Sequence, residues 1–172
     1  MAQLVNKQVA GKTPQNKISA TKIAIFYIGN PSRGDDGAAC ALQAKLAQSS
    51  NNLAGVIIEN QWVYQLCPEH IYDMEPADVV VFVDATVRFN HGCKLETIIP
   101  TESPALASHA LSPNDLTGFY ESLLHKKPPP CLLLSIGATE FELTEKISPM
   151  TQENIHMAED MLLAFLRKSA RR

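Results

Sequence analysis

The sequence predicts an α/β protein: a three-layer α/β/α sandwich with a mostly parallel central sheet of about five strands. Three observations predict it. The run ADVVVFVDA at 77–85 is apolar at almost every position, as a central strand covered on both faces must be. The run KIAIFYIG at 22–29 leads into turn formers and then an alanine-rich segment, the strand–loop–helix opening of an α/β layer. Strand-like and helix-like segments then alternate in the order β-α-β-α-β-β-α-β-α, which calls for helices on both faces of the sheet.

The elements follow from local composition. Residues 22–29 are β-branched and aromatic and close on glycine, so they read as a buried strand. NPSRGDDG at 30–37 is a cluster of turn formers, and AACALQAKLAQ at 38–48 has strong helix formers throughout. GVIIE at 55–59 predicts a second strand, and Pro68-Glu69 a short helix, because proline is tolerated in a first turn. After the strand at 77–85, Asn90-His91-Gly92 is read as a hairpin turn into CKLETII at 93–99, whose alternation fits a more exposed, edge-type strand. Ser112 and Pro113 supply an N-cap and a first helical residue for LTGFYESLLHK. CLLLSIGA at 131–138 is another buried strand, and Ser148-Pro149 opens a last helix with Ile155, Met161, Leu162 and Phe165 on one face.

A chain of 172 residues fits one domain. Its expected limits are 22–168, with a flexible basic arm at 1–21 and a basic tail at 169–172. Residues 1–22 carry four lysines and no acid, whereas 23–166 hold 7 basic and 18 acidic residues. An acidic body of this kind argues against nucleic acid, which needs a basic face, and suits metal cations or basic peptides. No run of 18 apolar residues and no apolar segment behind the N-terminal lysines is present, so neither a membrane span nor a secretory signal is expected and a cytoplasmic location is. The four cysteines are widely spaced and unpaired in sequence, which predicts reduced, mostly buried thiols.

In doubly wound sheets ligands sit at the carboxyl ends of strands, beside the switch in strand order. Asp84 ends the most apolar strand. Its carboxylate carries a desolvation cost unless something pairs with it, so it reads either as a turn cap or as a ligand facing the crevice. Asp35 and Asp36 lie in the loop after the first strand. They could serve the following helix by capping and dipole, or turn one carboxylate, at most, into a site. Of five histidines, His125 and His156 read as surface residues, and His70 carries no clear signal. His109 stands in a loop just before the Ser112 cap. The glycine spacing around 29–34 does not match a dinucleotide fingerprint, and no Walker lysine, G-x-S-x-G elbow or HExxH helix occurs.

Taken in order, these segments resemble one family. Ile28-Gly29-Asn30-Pro31-Ser32-Arg33-Gly34-Asp35-Asp36-Gly37 closely resembles the N-terminal signature of the hydrogenase maturation endopeptidases, proteases that trim the large subunit of nickel–iron hydrogenases. Val83-Asp84-Ala85, Ser108-His109, the segment from Ile136 to Glu142, and Leu143-Thr144-Glu145-Lys146-Ile147-Ser148-Pro149 follow in the family's order, over roughly 22–168. The resemblance implies an aspartic-type, metal-dependent endopeptidase whose nickel ligands map onto Asp36, Asp84 and His109. It implies a substrate that is the nickel-loaded large-subunit precursor, cut at its C-terminus, with the nickel carried by that precursor. The partner expected is the precursor, with no nucleic acid and no membrane, and the chain is expected to be a monomer. Two departures stand out: the first ligand is aspartate where the family often has glutamate, and Ala39 stands where a glycine is common. Two carboxylates and an imidazole suit divalent nickel and leave coordination positions open. Two other readings are a non-catalytic nickel-precursor binding protein on the same fold, and a magnesium-dependent hydrolase or phosphate binder built on the Gly/Asp loop.

Overall fold

The structure, a computed structural model, describes residues 20–49, 53–102 and 111–170. His109, the arm at 1–19 and the last two residues of the basic tail lie outside the described residues. Five strands form one sheet in the order β2-β1-β3-β5-β4, with β1 at Thr21–Ile28, β2 at Val56–Val63, β3 at Val79–Thr86, β4 at Cys93–Thr97 and β5 at Cys131–Gly137. All neighbours are parallel except β4, which runs antiparallel to β5 at the edge. The helices are α1 (Ala38–Ser49), the short α2 (Ile71–Met74), α3 (Pro113–Leu124) and the 21-residue α4 (Pro149–Ser169). The three-layer α/β/α architecture is therefore the one the sequence predicts.

Side-chain alternation along the strands makes two cores. Ile23, Ile25 and Tyr27 of β1 face α1 and α4, whereas Ala24, Phe26 and Ile28 face α2 and α3. Because β1 and β3 are covered on both sides, they are apolar at consecutive positions, and Val80 to Val83 are all fully buried. On the second face Phe26 stacks on Phe82 at 5.3 Å, and His70 sets its ring edge against Phe26 at 5.7 Å. Ile155 and Leu162 of α4 are buried, and Met161 and Phe165 pack against the same core.

Several local expectations change. β2 runs on to Val63, beyond the GVIIE segment, because Asn60-Gln61-Trp62 continues the ladder with β1. The turn at His91 does not close a hairpin: β3 and β4 are separated by β5, so the chain crosses β5 before returning antiparallel to it. Of the four free cysteines only Cys131 is buried, and Cys40, Cys67 and Cys93 are half-buried. The two sequence-predicted caps form as expected. The Ser112 hydroxyl accepts the Asp115 N–H at 3.1 Å, and the Ser148 hydroxyl accepts that of Thr151 at 3.3 Å.

Candidate active site

From β1 the chain moves outward to β2 and then returns across β1 to β3, so the switch in strand order falls between β1 and β3. At their carboxyl ends the loops diverge and leave a crevice, the position such sheets offer a ligand. A cavity of about 430 Å³ lies there, with Ile28, Asp36, Tyr64, Asp84, Ser135 and Asn114 in its wall. It belongs to the face covered by α2 and α3. Asp84 alternates in phase with Val80 and Phe82 of that core and lies in register with Ser135 on β5.

The acidic loop after β1 is shaped by two glycines. Gly29 has φ +135°, and a Cβ there would sit 2.0 Å from the Asp36 carbonyl oxygen; the backbone folds onto itself where only glycine fits. Gly34, at φ +56°, passes so close to the 140s segment that a Cβ would lie 2.6 Å from the Glu140 carbonyl oxygen. Between them the Asn30 side chain accepts the Ser32 N–H at 2.9 Å, and the Asn30 N–H donates to Asp36 Oδ2 at 2.9 Å. The Asp36 carboxylate is thus fixed from its own loop and faces the cavity.

Asp35 does something else. It is fully buried, and its carboxylate accepts the N–H groups of Thr139 and Glu140 at 3.0 Å each and of Ser148 at 2.7 Å. The hydroxyls of Ser148 and Thr151 add bonds at 2.9 and 2.8 Å. Burial alone pushes this carboxyl up, but the three backbone donors and the Thr151 hydroxyl outweigh it and hold Asp35 below the ordinary aspartate range. The side chain therefore serves the N-terminus of α4, where a negative charge also complements the helix dipole. It does not cap α1, the helix that follows it: its carboxylate bonds go to Thr139, Glu140, Ser148 and Thr151.

Asp84 is in the opposite electrostatic situation. Burial and then the charge of Asp36 push its carboxyl up to about 6, against a small opposing bond from the Ala85 N–H. Among the described residues no Lys, Arg or His forms an ion pair with either aspartate, although Arg88 lies in the same cavity wall. Two carboxylates in one crevice, one of them desolvated and neither in an ion pair among the described residues, give this wall a negative character that would favour a cation.

The structure thus brings Asp36 and Asp84 together and assigns Asp35 elsewhere. His109 lies outside the described residues, and among those described no group of three His, Cys, Asp or Glu side chains is arranged to hold a metal ion. The remaining histidines do not join the aspartates. His70 Nδ1 accepts the Cys67 N–H at 2.8 Å, His91 Nδ1 lies 3.4 Å from Met150 Sδ, and His125 and His156 are exposed. Sequence reasoning missed Ser135 and Tyr64 as members of the wall. Ser135 was the one polar residue in an apolar strand, which was the available signal; nothing in sequence marked Tyr64.

No protein-family model matches this sequence, and no curated protein sequence matches it. Solved structures do match. The hydrogenase maturating endopeptidase HybD from E. coli superposes with a TM-score of 0.60 at 21% identity, over 87% of this chain and 94% of that one. The NiFe hydrogenase maturation protease HybD from Thermococcus kodakarensis gives 0.62 at 16% identity, over 85% and 99%. The maturation protease HycI from Thermococcus kodakarensis KOD1 gives 0.58 at 22% identity, over 86% and 93%. The chain has the fold of these proteins over nearly their whole length. No helix of the described residues is long and apolar enough to cross a membrane.

Proposed function

We propose that this chain is a hydrogenase maturation endopeptidase, acting in the cytoplasm, which removes a C-terminal peptide from the nickel-loaded precursor of a nickel–iron hydrogenase large subunit. The observation that carries the proposal is the pair Asp36 and Asp84, both lining the crevice at the strand-order switch with no ion pair to either among the described residues. The shared fold and the ordered motifs from Gly29 to Pro149 support it.

The residues present fit nickel as the cargo of a substrate. Two carboxylates supply hard oxygen donors, and a divalent ion would offset the repulsion that raises Asp84. The third ligand in this proposal is His109. It is assigned from the ordered family motifs, in which Ser108-His109 follows Val83-Asp84-Ala85. A nickel ion bound there supplies Lewis acidity for peptide hydrolysis. Asp36 and Asp84 orient the precursor by gripping that ion. Dependence on loaded nickel follows: without the ion, the two carboxylates have nothing to grip on the substrate.

The test is mass spectrometry of the precursor after incubation with the chain. The expected result is loss of a C-terminal peptide from the nickel-loaded precursor and none from the nickel-free form. Asp36→Ala, Asp84→Ala and His109→Ala should each abolish trimming while the far-UV spectrum stays native. Trimming by all three variants would overturn the site, and a stable complex without mass loss would replace the protease by a binding role.

A further inference from the structure

The two edges of the sheet are built differently. β4 is five residues long and carries the exposed Lys94–Glu96 ion pair at 2.8 Å, the kind of charged, short edge that discourages pairing with another chain. β2, at the other edge, is eight residues long, and Glu59 is its one charge. It has no proline and exposes Ile57 and Trp62. Its hydrogen-bonding phase is fixed at both ends, by the Thr21 N–H donating to the Gly55 carbonyl at 2.9 Å and the Gly29 N–H donating to that of Val63 at 3.0 Å. Odd-numbered residues therefore face β1, and Ile58, Asn60 and Trp62 turn their N–H and C=O groups outward. Among the described residues none of these outward groups has a hydrogen-bond partner.

This open edge leads into the crevice. Directly after β2, Tyr64, Gln65 and Leu66 line the cavity beside Gly29 and Asp36. The joint is an aromatic corner. Trp62 Nε1 donates to the Gly29 carbonyl at 3.0 Å, and its ring lies 4.6 Å from that of Tyr64, which is 62% exposed. A strand added outside β2 would lie two strand spacings, about 10 Å, from the end of β1. About three extended residues cover that distance.

We propose that β2 is the docking rail for an extended segment of the substrate polypeptide, a path that presupposes the endopeptidase reading above. The segment adds to the sheet through the outward groups of Ile58, Asn60 and Trp62, turns over the Trp62–Tyr64 corner and delivers the chain to the aspartates. Strand addition supplies affinity from main-chain bonds with little dependence on side chains. The occupant is the precursor and not a second copy of this chain because the edge opens into the crevice, where only a substrate has business.

The test compares Asn60→Pro with Asn60→Ala. Both lose the bond from the Tyr27 hydroxyl to Asn60 Oδ1. Only proline lacks the outward N–H, and since that N–H faces away from β1 the ladder with β1 keeps its bonds. With the nickel-loaded precursor as probe, Asn60→Pro should raise KM roughly three- to tenfold over Asn60→Ala, as one lost hydrogen bond requires, with kcat unchanged. Equal KM values overturn the rail. A second measurement keeps the native strand. A photo-crosslinking residue in place of Glu59 should capture the precursor, and one in place of Glu96 on β4 should not. A precursor that is trimmed without crosslinking at position 59, or a crosslink joining two copies of this chain, overturns the rail and leaves the endopeptidase reading standing. A wild-type chain that neither binds nor trims the precursor removes both.

Discussion

Asp35 and Asp36 are neighbours in the chain whose carboxylates answer to different parts of the protein. Asp35 accepts bonds from Thr139, Glu140, Ser148 and Thr151 in the β5–α4 corner, and Asp36 accepts the Asn30 N–H and faces the crevice with Asp84. One anchors and the other is presented.

The two should therefore separate in a stability assay. Asp35→Ala strands several buried donors and is expected to cost about 4 kcal/mol in chemical unfolding. Asp36→Ala is expected to cost well under 1 kcal/mol and to lose activity instead. Because the Asp35 carboxyl is held below its ordinary range in the fold, its contribution is complete above the usual aspartate pKa. It is lost as pH falls through the lowered value.

Asp84 has the reverse sign. Its carboxyl is raised from 3.8 to about 6, so ionising it in the folded chain is harder than in the unfolded one. The metal-free protein carries no penalty from this group below about pH 4, a growing one between pH 4 and 6, and the full penalty, about 3 kcal/mol, above pH 6. Asp84→Asn should raise the melting temperature at pH 7.5 and leave it unchanged at pH 4. An equal shift at both pH values would contradict the burial and the Asp36 charge as its cause.

Gly29 is predicted to accept no side chain. Gly29→Ala places a Cβ 2.0 Å from the Asp36 carbonyl oxygen at a φ of +135°, so the loop must shift and move Asp36 with it. Trimming should fall by at least about a hundredfold, as misplacing a catalytic group by ~1 Å does. The melting temperature should fall as well.

Cys131 should be the slowest of the four thiols to alkylate in the native protein. It is buried, its thiol is pushed up to about 12 by that burial, and its Sγ donates to the Pro129 carbonyl at 3.1 Å. Peptide mapping after timed iodoacetamide treatment should show the half-buried Cys40 and Cys67 modified first. Early labelling of Cys131 would mean that β5 opens locally.

Much of this molecule was legible from residue pattern alone. The double-sided strands β1 and β3 announced themselves as unbroken apolar runs, and Ser112 and Ser148 announced their helices, because these signals are local. The extent of β2 was not legible, since Asn60, Gln61 and Trp62 look like loop residues until β1 lies beside them. Nor was the order of β3, β5 and β4. The turn around His91 has hairpin composition, and only the placement of β5 between the two strands shows that it is a crossing. At the site, Asp84 was marked by its own strand. The choice between Asp35 and Asp36 was not local at all: the partners that occupy Asp35 lie more than a hundred residues away.

That separation has a consequence for biosynthesis. The carboxylate of Asp35 is tied to Ser148 and Thr151 across 113 and 116 residues of chain, so the loop that presents Asp36 is completed by residues made long after it. A ribosome that has delivered β1, β2 and β3 has made both crevice aspartates, yet it has not made the clamp that fixes their loop. A product broken off before Ser148 would carry the acidic residues without the geometry, which makes the cleft wait for synthesis of the segment that opens α4.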